Sequence, residues 1–214
     1  MLFRSHTLEQ EIIGHLRLDE WQTADHDQKK SIMQGLFQLA KDAFQLDIQL
    51  LFSMPFGFEA AYGLADPVTG DIRVNEAKWP ACDPIEPLYY FLHELRHAIQ
   101  SSRPELFPRE IEINSRYMIQ FDGIGYKVDG DDVITVKLEG SRGYFTDLYL
   151  ASPSERDANL FAYRCLKAAG ASGRLEQIHA MWTPKFHYFT EENAPDEFMK
   201  TVSEIERLSN EKRA

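Results

Sequence analysis

The segment His93-Glu94-Leu95-Arg96-His97 combines the residue types and the spacing with which a helix can hold a catalytic zinc ion. Residues four apart lie on one face of a helix, with their Cβ atoms about 5–6 Å apart. The two imidazoles can therefore converge on one ion, with bonds of about 2.0–2.1 Å. Glu94 lies beside this pair and off its axis, where a carboxylate can take a proton from water without being a ligand.

Chance and a plain surface helix are the two alternative explanations of this motif. In a chain with seven His among 214 residues, random placement would give the pattern only about 0.02 times. A surface helix with two solvated histidines needs no organised apolar face, whereas here apolar residues recur at helical spacing. The segment is therefore predicted to be a packed helix with the histidines beside its buried face. The apolar residues are Leu88, Phe91, Leu92, Leu95 and Ile99.

The two histidines need a third protein ligand, because a catalytic zinc usually has three such ligands and one water. Glu155 is the first choice, since Asn159 lies one turn later on the same face and could accept a hydrogen bond from a ligating histidine. In the opposing interpretation Ser152 and Glu155 form a capping box, and Glu155 serves only the helix end. Spacing alone leaves both open. The further candidates are Asp157, Glu110, Glu112, His179 and His187.

Length and composition limit the class of protein. A chain of 214 residues can bury one sizeable core, and we predict a single domain over residues 1–214. The net charge of −11, without a basic run, argues against a nucleic-acid partner. Cys82 and Cys165 lack metal-binding spacing and indicate a reducing compartment. Residues 1–6 turn polar before an apolar signal core develops, and no apolar run could span a bilayer, so we expect a cytoplasmic protein without a membrane partner.

The elements that precede the motif alternate between helix and strand. Helical periodicity predicts two N-terminal helices, the second capped by Asp25 and Gln28. A strand is predicted over residues 48–52 and a hairpin over residues 60–75. Prolines at the next turn place the start of the histidine-bearing helix between residues 83 and 87.

The region 101–150 is predicted to be β-rich, because its residues alternate like strands on both sides of an Asp129–Asp131 turn. Ser152-Pro153 then opens the helix that carries Glu155 and stops at Gly170. Two further helices are expected in the tail. The predicted strands cover 117–121, 126–128 and 133–138, and the tail helices lie near 174–181 and around 198–208.

Together, His93-Glu94-x-x-His97 and the segment Glu155-Arg156-Asp157-Ala158-Asn159-Leu160-Phe161-Ala162 resemble the gluzincin zinc metallopeptidases. Within these, the chain looks most like the short bacterial and phage ImmA/IrrE-type proteins. In that group an Ile-x-Val/Ile-Asn hairpin segment precedes the HExxH helix, as Ile72-Arg73-Val74-Asn75 does here, and a Glu-x-x-Ala-Asn/Asp-x-Phe-Ala helix supplies the third ligand. The resemblance covers about residues 30–170. It implies a zincin-like α+β fold, with a small, mainly antiparallel sheet packed on the HExxH helix and on the helix of Glu155.

Two features depart from that group. Arg96 stands where a glycine usually precedes the second histidine, and it is expected to crowd or charge the mouth of the cleft. Glu155 lies 58 residues after His97, farther than is usual, so the region 101–150 is interpreted as an insertion.

The predicted activity is zinc-dependent hydrolysis of peptide bonds in a peptide or protein substrate. His93, His97 and Glu155 would hold Zn²⁺, while Glu94 acts as general base on the attacking water and returns the proton to the leaving amine. The candidates for stabilising the oxyanion are His187, Tyr149 and Tyr163. Two alternatives stay open: a zinc-stabilised protein-interaction module without catalysis, and a hydrolase of a non-peptide amide.

Overall fold

The computed structural model describes residues 2–190 and 192–213, with the side chains from residue 8 onwards. Within these residues the chain is α+β, as predicted, with two three-stranded sheets. The α-helices are α1 (Leu2–His15), α2 (Leu18–Thr23), α3 (His26–Phe44), α4 (Glu86–Ser102), α5 (Arg109–Asn114), α6 (Arg142–Ala151), α7 (Pro153–Ala168), α8 (Arg174–Met181) and α9 (Ala194–Arg213). The strands are β1 (Leu50–Leu51), β2 (Gly63–Ala65), β3 (Ile72–Val74), β4 (Tyr117–Ile119), β5 (Ile124–Asp129) and β6 (Asp132–Lys137), and short 3-10 helices cover Glu76–Ala81 and Pro104–Leu106.

The first sheet has the strand order β1-β3-β2. The predicted hairpin is confirmed, with Gly63 opposite Val74 and Ala65 opposite Ile72 in antiparallel register. β1 is parallel to β3, however, because the chain reverses direction twice between these strands. This sheet is therefore mixed, and the prediction of a mainly antiparallel sheet was wrong for it. β2 forms one edge of the sheet.

Helix α4 carries both histidines and starts at Glu86, inside the predicted interval. All five residues of its predicted apolar stripe are fully buried. The helix packs on β2 and β3, and elsewhere on its surface it packs on α7. Helix α7 makes its extensive contacts with other helices, namely α4, α1, α5, α6 and α8. The prediction that the first sheet packs on the helix of Glu155 therefore differs from the structure. Helices α4 and α7, which carry the predicted metal ligands, thus face one another across a shared core.

The region 101–150 contains the predicted strands but also two helices that the sequence did not reveal. β4, β5 and β6 form an antiparallel sheet whose tight turn contains Gly130 at φ 63°. Helix α6 occupies the segment that was predicted to be β-rich, and the side chain of Ser141 caps it by accepting from the backbone N–H of Tyr144. Its aromatic residues and a threonine favour strands locally, which explains the error.

The second sheet has its own hydrophobic cluster, which it shares with α6 and with the C-terminal helix α9. The buried members of this second cluster are Ile119, Val136, Leu138, Phe145, Leu148, Phe198, Val202 and Ile205. The predicted tail helices are confirmed, and the last one packs on residues of region 101–150. Among the described helices, none has both the length and the apolar composition that crossing a bilayer requires.

Candidate metal centre

His93, His97 and Glu155 come together where α4 faces α7. The two Nε2 atoms lie 3.0 Å apart, and Glu155 Oε1 lies 3.2 Å from His97 Nε2. Glu155 Oε2 lies 3.4 Å from His93 Nε2. A tetrahedral ion with bonds of about 2.0–2.1 Å separates its ligand atoms by about 3.3–3.4 Å. The three side chains therefore have a spacing that could hold one metal ion, and no other cluster of His, Cys, Asp and Glu in the described residues does so.

The electrostatics of the cluster also suit a cation. Burial by itself would raise the pKa of Glu155, but the nearby His97 and His93 outweigh it and bring the pKa below its ordinary range. Burial opposes a charge on His97 too, yet the carboxylates of Glu155 and Glu94 raise its pKa to about 9. Glu155 Oε2 is buried without a well-formed hydrogen bond. A buried, ionised oxygen of this kind is stabilised by a cation.

Glu155 does not cap its own helix. The side chain of Ser152 at the N-cap of α7 makes no capping hydrogen bond, so the predicted capping box is absent. Asn114 of α5 serves this end instead, because its Oδ1 accepts from the backbone N–H of Ser154 at 2.9 Å and from its hydroxyl at 2.7 Å. The Glu155 carboxylate therefore faces the histidines. Region 101–150 thus contributes to the position of the third candidate ligand.

Gln100 sets the orientation of the His97 ring. Its Oε1 lies 2.8 Å from His97 Nδ1, while its Nε2 donates to Asp157 Oδ2 at 2.8 Å and to the Ser154 carbonyl at 3.1 Å. A carboxylate and a carbonyl only accept, so the amide nitrogen of Gln100 must face them and its oxygen must face His97. His97 then donates from Nδ1, which leaves Nε2 as the nitrogen that faces the candidate metal position.

Arg96 does not lie at the mouth of the cleft, so the expectation that it crowds or charges the mouth was wrong. Adjacent helical residues are about 100° apart around the axis, which turns Arg96 away from His97 and towards α7. There its Nε donates to Asp157 Oδ2 at 2.6 Å and its Nη2 donates to Oδ1 at 3.1 Å. The guanidinium also lies over the rings of Phe107 and Phe161, at 4.6 and 5.0 Å. Arg96 and Asp157 thus form a partly buried ion pair between the two helices.

Glu94 lies beside the cluster without joining it. Its side chain packs against the backbone of Gly63 in the edge strand β2. Burial raises the pKa of Glu94, against the opposing influence of His93 and His97. A carboxylate in this position can exchange a proton with water bound next to the histidines.

The remaining candidate ligands lie elsewhere. Asp157 pairs with Arg96, and Glu112 lies 3.5 Å from Arg116. His179 stacks on Tyr163 with ring centroids 4.3 Å apart. Glu110 and His187 are exposed. None of these five candidates joins the cluster, as far as the described residues show.

The predicted hydrogen bond between Asn159 and a histidine is not formed. Asn159 Oδ1 lies 3.4 Å from the hydroxyl of Tyr89, and Asn159 Nδ2 is buried without a hydrogen-bond partner. Nδ1 of His93 is buried without a hydrogen-bond partner. The two histidines thus differ, because only His97 has its outer nitrogen held by a neighbouring side chain.

Of the three candidate oxyanion donors, Tyr149 is the one at the cluster. Burial, followed by the charges of Glu155 and Glu94, raises its pKa well above the ordinary value, which locates its hydroxyl near both carboxylates. Tyr163 instead donates to Glu176 at 2.8 Å. His187 is exposed in the segment after α8.

A row of aromatic rings leads from the cluster towards β2 and was missed in the sequence. Trp182 stacks on His93, with ring centroids 5.8 Å apart. Tyr90 meets Trp182 edge to face at 5.9 Å and stacks on Tyr62 at 4.5 Å. Tyr90 precedes His93 by three residues on α4, a spacing that could have identified it. No local signal links Trp182 to a site 89 residues earlier.

Comparisons with protein-family models, with curated proteins and with solved structures found no match for the chain. The resemblance to gluzincins therefore depends on the two motifs and stays a prediction.

Proposed function

We propose that this protein is a zinc-dependent metallopeptidase with a zincin-like fold, similar to the ImmA/IrrE-type gluzincins. The single observation that carries the proposal is the convergence of His93, His97 and Glu155 at 3.0–3.4 Å, with Glu94 left outside the cluster. Structural zinc sites almost always have four protein ligands, whereas catalytic sites have three and keep one position open. Three candidate ligands and an adjacent carboxylate fit the catalytic arrangement.

Each side chain has a separate task in this mechanism. His93, His97 and Glu155 would hold Zn²⁺, which would supply a Lewis acid that acidifies water and polarises the substrate carbonyl. Glu94 accepts the proton of the attacking water and delivers it to the leaving amine. Tyr149 keeps its phenolic proton at neutral pH and can donate a hydrogen bond to the developing oxyanion.

The surroundings of Glu94 favour an extended peptide as substrate. β2 pairs with β3 on one side only, so its other side offers backbone groups to an added strand. The loop before β2 carries exposed aromatic side chains, among them Phe56 at 99% exposure and Phe58 at 41%. Tyr62 continues this surface to the aromatic row beside His93. We therefore expect a peptide or unfolded protein segment that contains apolar side chains.

The experiment that tests the proposal compares cleavage of a peptide library by the zinc-loaded protein and by Glu94→Gln. Because both cysteines are free thiols and we place the protein in the cytoplasm, the buffer is reducing. Glu94→Gln should keep about one equivalent of zinc and lose about 10²–10⁴-fold in rate, since an amide cannot accept the proton of water. The exposed Glu20→Gln is the matched control and should cleave like wild type.

Three results would count against the proposal. Wild-type protein that binds zinc and cleaves no peptide would favour the interaction module. Cleavage confined to small amides would favour the non-peptide hydrolase. A fully active Glu94→Gln would remove the assigned base.

A further inference from the structure

We propose that Arg96 and Asp157 are positioning residues for the metal centre and act through Gln100. They hold the Gln100 amide in the one orientation that makes His97 donate from Nδ1 and present the lone pair of Nε2. This inference rests on the metal site of the proposed function, but it concerns residues that are neither ligands nor the base.

The connection from Arg96 to His97 begins with the charged guanidinium of Arg96 at the α4–α7 interface. The Arg96 fork contacts both oxygens of Asp157, at 2.6 and 3.1 Å, and thereby fixes the plane of the carboxylate. Oδ2 accepts a second hydrogen bond, from Gln100 Nε2 at 2.8 Å. Arg96 and Gln100 are 5% and 1% exposed, so both donors are shielded from water, while the Asp157 side chain is 21% exposed. One oxygen of Asp157 therefore links the guanidinium to the amide.

The consequence at His97 follows because the Gln100 amide can turn either its oxygen or its nitrogen towards the ring. If Gln100 were flipped, its oxygen would face the Asp157 carboxylate and the Ser154 carbonyl, which are both acceptors. It would also direct N–H groups at His97 Nδ1, and that ring would then carry its proton on Nε2. A proton on Nε2 occupies the position that a metal needs. The correct amide orientation thus keeps the remaining proton on Nδ1 when Nε2 gives up its own proton to a metal ion.

A simpler role is that the ion pair only holds α4 against α7. The two roles predict different results in a double-mutant cycle on zinc affinity. If Asp157 acts through Gln100, its replacement should matter only while Gln100 is present. If Asp157 acts only by holding the helices together, its effect should persist without Gln100 and the two effects should add.

The cycle uses wild type, Gln100→Leu, Asp157→Asn and the double variant, with zinc Kd measured by competition with a chromophoric chelator. Gln100→Leu should weaken binding about 10–100-fold, the usual effect of removing a partner of a ligating histidine. Asp157→Asn should also weaken binding, and the double variant should bind no more weakly than Gln100→Leu. Glu206→Gln is the control for lost stability, because it breaks contacts with Tyr117 and Lys127 beside the second cluster. It should bind zinc like wild type.

A measurement on the unmutated chain does not depend on how the variants fold. In zinc-loaded wild-type protein with ¹⁵N-labelled histidine, NMR should show a slowly exchanging proton on His97 Nδ1, because Gln100 Oε1 accepts a hydrogen bond from it. Additive losses in the cycle, unchanged affinity of Gln100→Leu, or a His97 without a proton on Nδ1 would each overturn the inference while the metal site stands. Wild type that binds no zinc would overturn the proposed function itself, and the inference with it.

Discussion

Gly63 of the edge strand β2 lies directly against Glu94 of helix α4. A Cβ atom on Gly63 would come within 2.7 Å of Glu94 Cγ, which is closer than such atoms approach, and within 3.1 Å of Glu94 Oε1, which is a tight contact. The strand that could pair with a substrate therefore passes beside the proposed base, and a side chain at position 63 would require Glu94 to move. The distance between the backbone of β2 and the Glu94 carboxylate is set by this contact.

Gly63→Ala should consequently displace the Glu94 side chain. We expect kcat for peptide cleavage to fall about 10–100-fold, because small displacements of a catalytic group have effects of this order. The zinc Kd should change little, since Gly63 touches none of the three candidate ligands. Gly35→Ala is the control: it lies in α3 with open space around it, and should stabilise the protein by up to about 1 kcal/mol. Equal activity of Gly63→Ala and wild type would show that Glu94 needs no fixed position.

Fewer residues of region 101–150 than predicted lie beside the candidate site. The strand-like alternation of residues 116–138 predicts hairpins near the cleft, with the Asp129–Asp132 turn controlling activity towards large substrates. The structure instead brings Phe121, in the turn between β4 and β5, to 4.3 Å from the ring of Tyr149. The Asp129 turn is held by an ion pair with Arg213 of the C-terminal helix.

Phe121→Ala should therefore reduce cleavage of long peptides more than cleavage of short ones, because it removes a 37%-exposed ring beside the proposed oxyanion donor. Zinc content should stay near one equivalent. Shortening the Asp129–Asp132 turn should leave both substrate classes nearly unaffected. The ratio of kcat/KM for long and short peptides measures this, and a stronger effect of the turn than of Phe121 would reverse the assignment.

The ion pair of Arg96 and Asp157 leads to a prediction about the free energy of unfolding. Arg96→Met should lower the free energy of unfolding by about 3–5 kcal/mol, because it leaves a partly buried carboxylate unpaired. Replacing both residues, in Arg96→Met/Asp157→Leu, should recover most of that loss, since apolar side chains of similar volume need no counter-charge. Urea unfolding curves measure both variants. A double variant as unstable as Arg96→Met would mean that packing on Phe107 and Phe161, not charge, is the main contribution of Arg96.

Much of the fold could be predicted from local patterns. The start of α4, the capping box at Asp25 and the hairpin of β2 and β3 follow from signals within a few residues. The two motifs also identified the three side chains that converge. What the sequence could not show are partnerships between distant residues, such as Asn114 with Ser154 or Arg96 with Asp157, which are 40 and 61 residues apart. The hydrophobic periodicity of an element indicates which of its faces is buried, but it does not indicate which side chains that face contacts.

Asp147 gives a prediction on acid stability. It is fully buried, and although burial raises its pKa, hydrogen bonds from the backbone N–H groups of Phe186, Lys185 and Tyr188 outweigh this and lower it. The unfolded chain, with a pKa of about 3.9, binds the proton first as the pH falls. The contribution of Asp147 is thus complete above about pH 4–5 and is lost as the pH falls through its lowered folded pKa.

Asp147→Asn should therefore lower stability at pH 7 and show a weaker loss of stability on acidification than wild type. Urea midpoints at pH 7 and at about pH 3 measure the difference. Parallel pH profiles of the two proteins would show that other carboxylates account for the acid sensitivity.

The most direct test of the metal centre is an anomalous difference map, recorded at the zinc absorption edge from crystals of the zinc-loaded wild-type protein. We predict one strong peak about 2.0–2.2 Å from His93 Nε2, His97 Nε2 and an oxygen of Glu155, with no fourth protein ligand. A peak that excludes Glu155, a site closed by a fourth side chain, or no peak between α4 and α7 would contradict the catalytic metal centre.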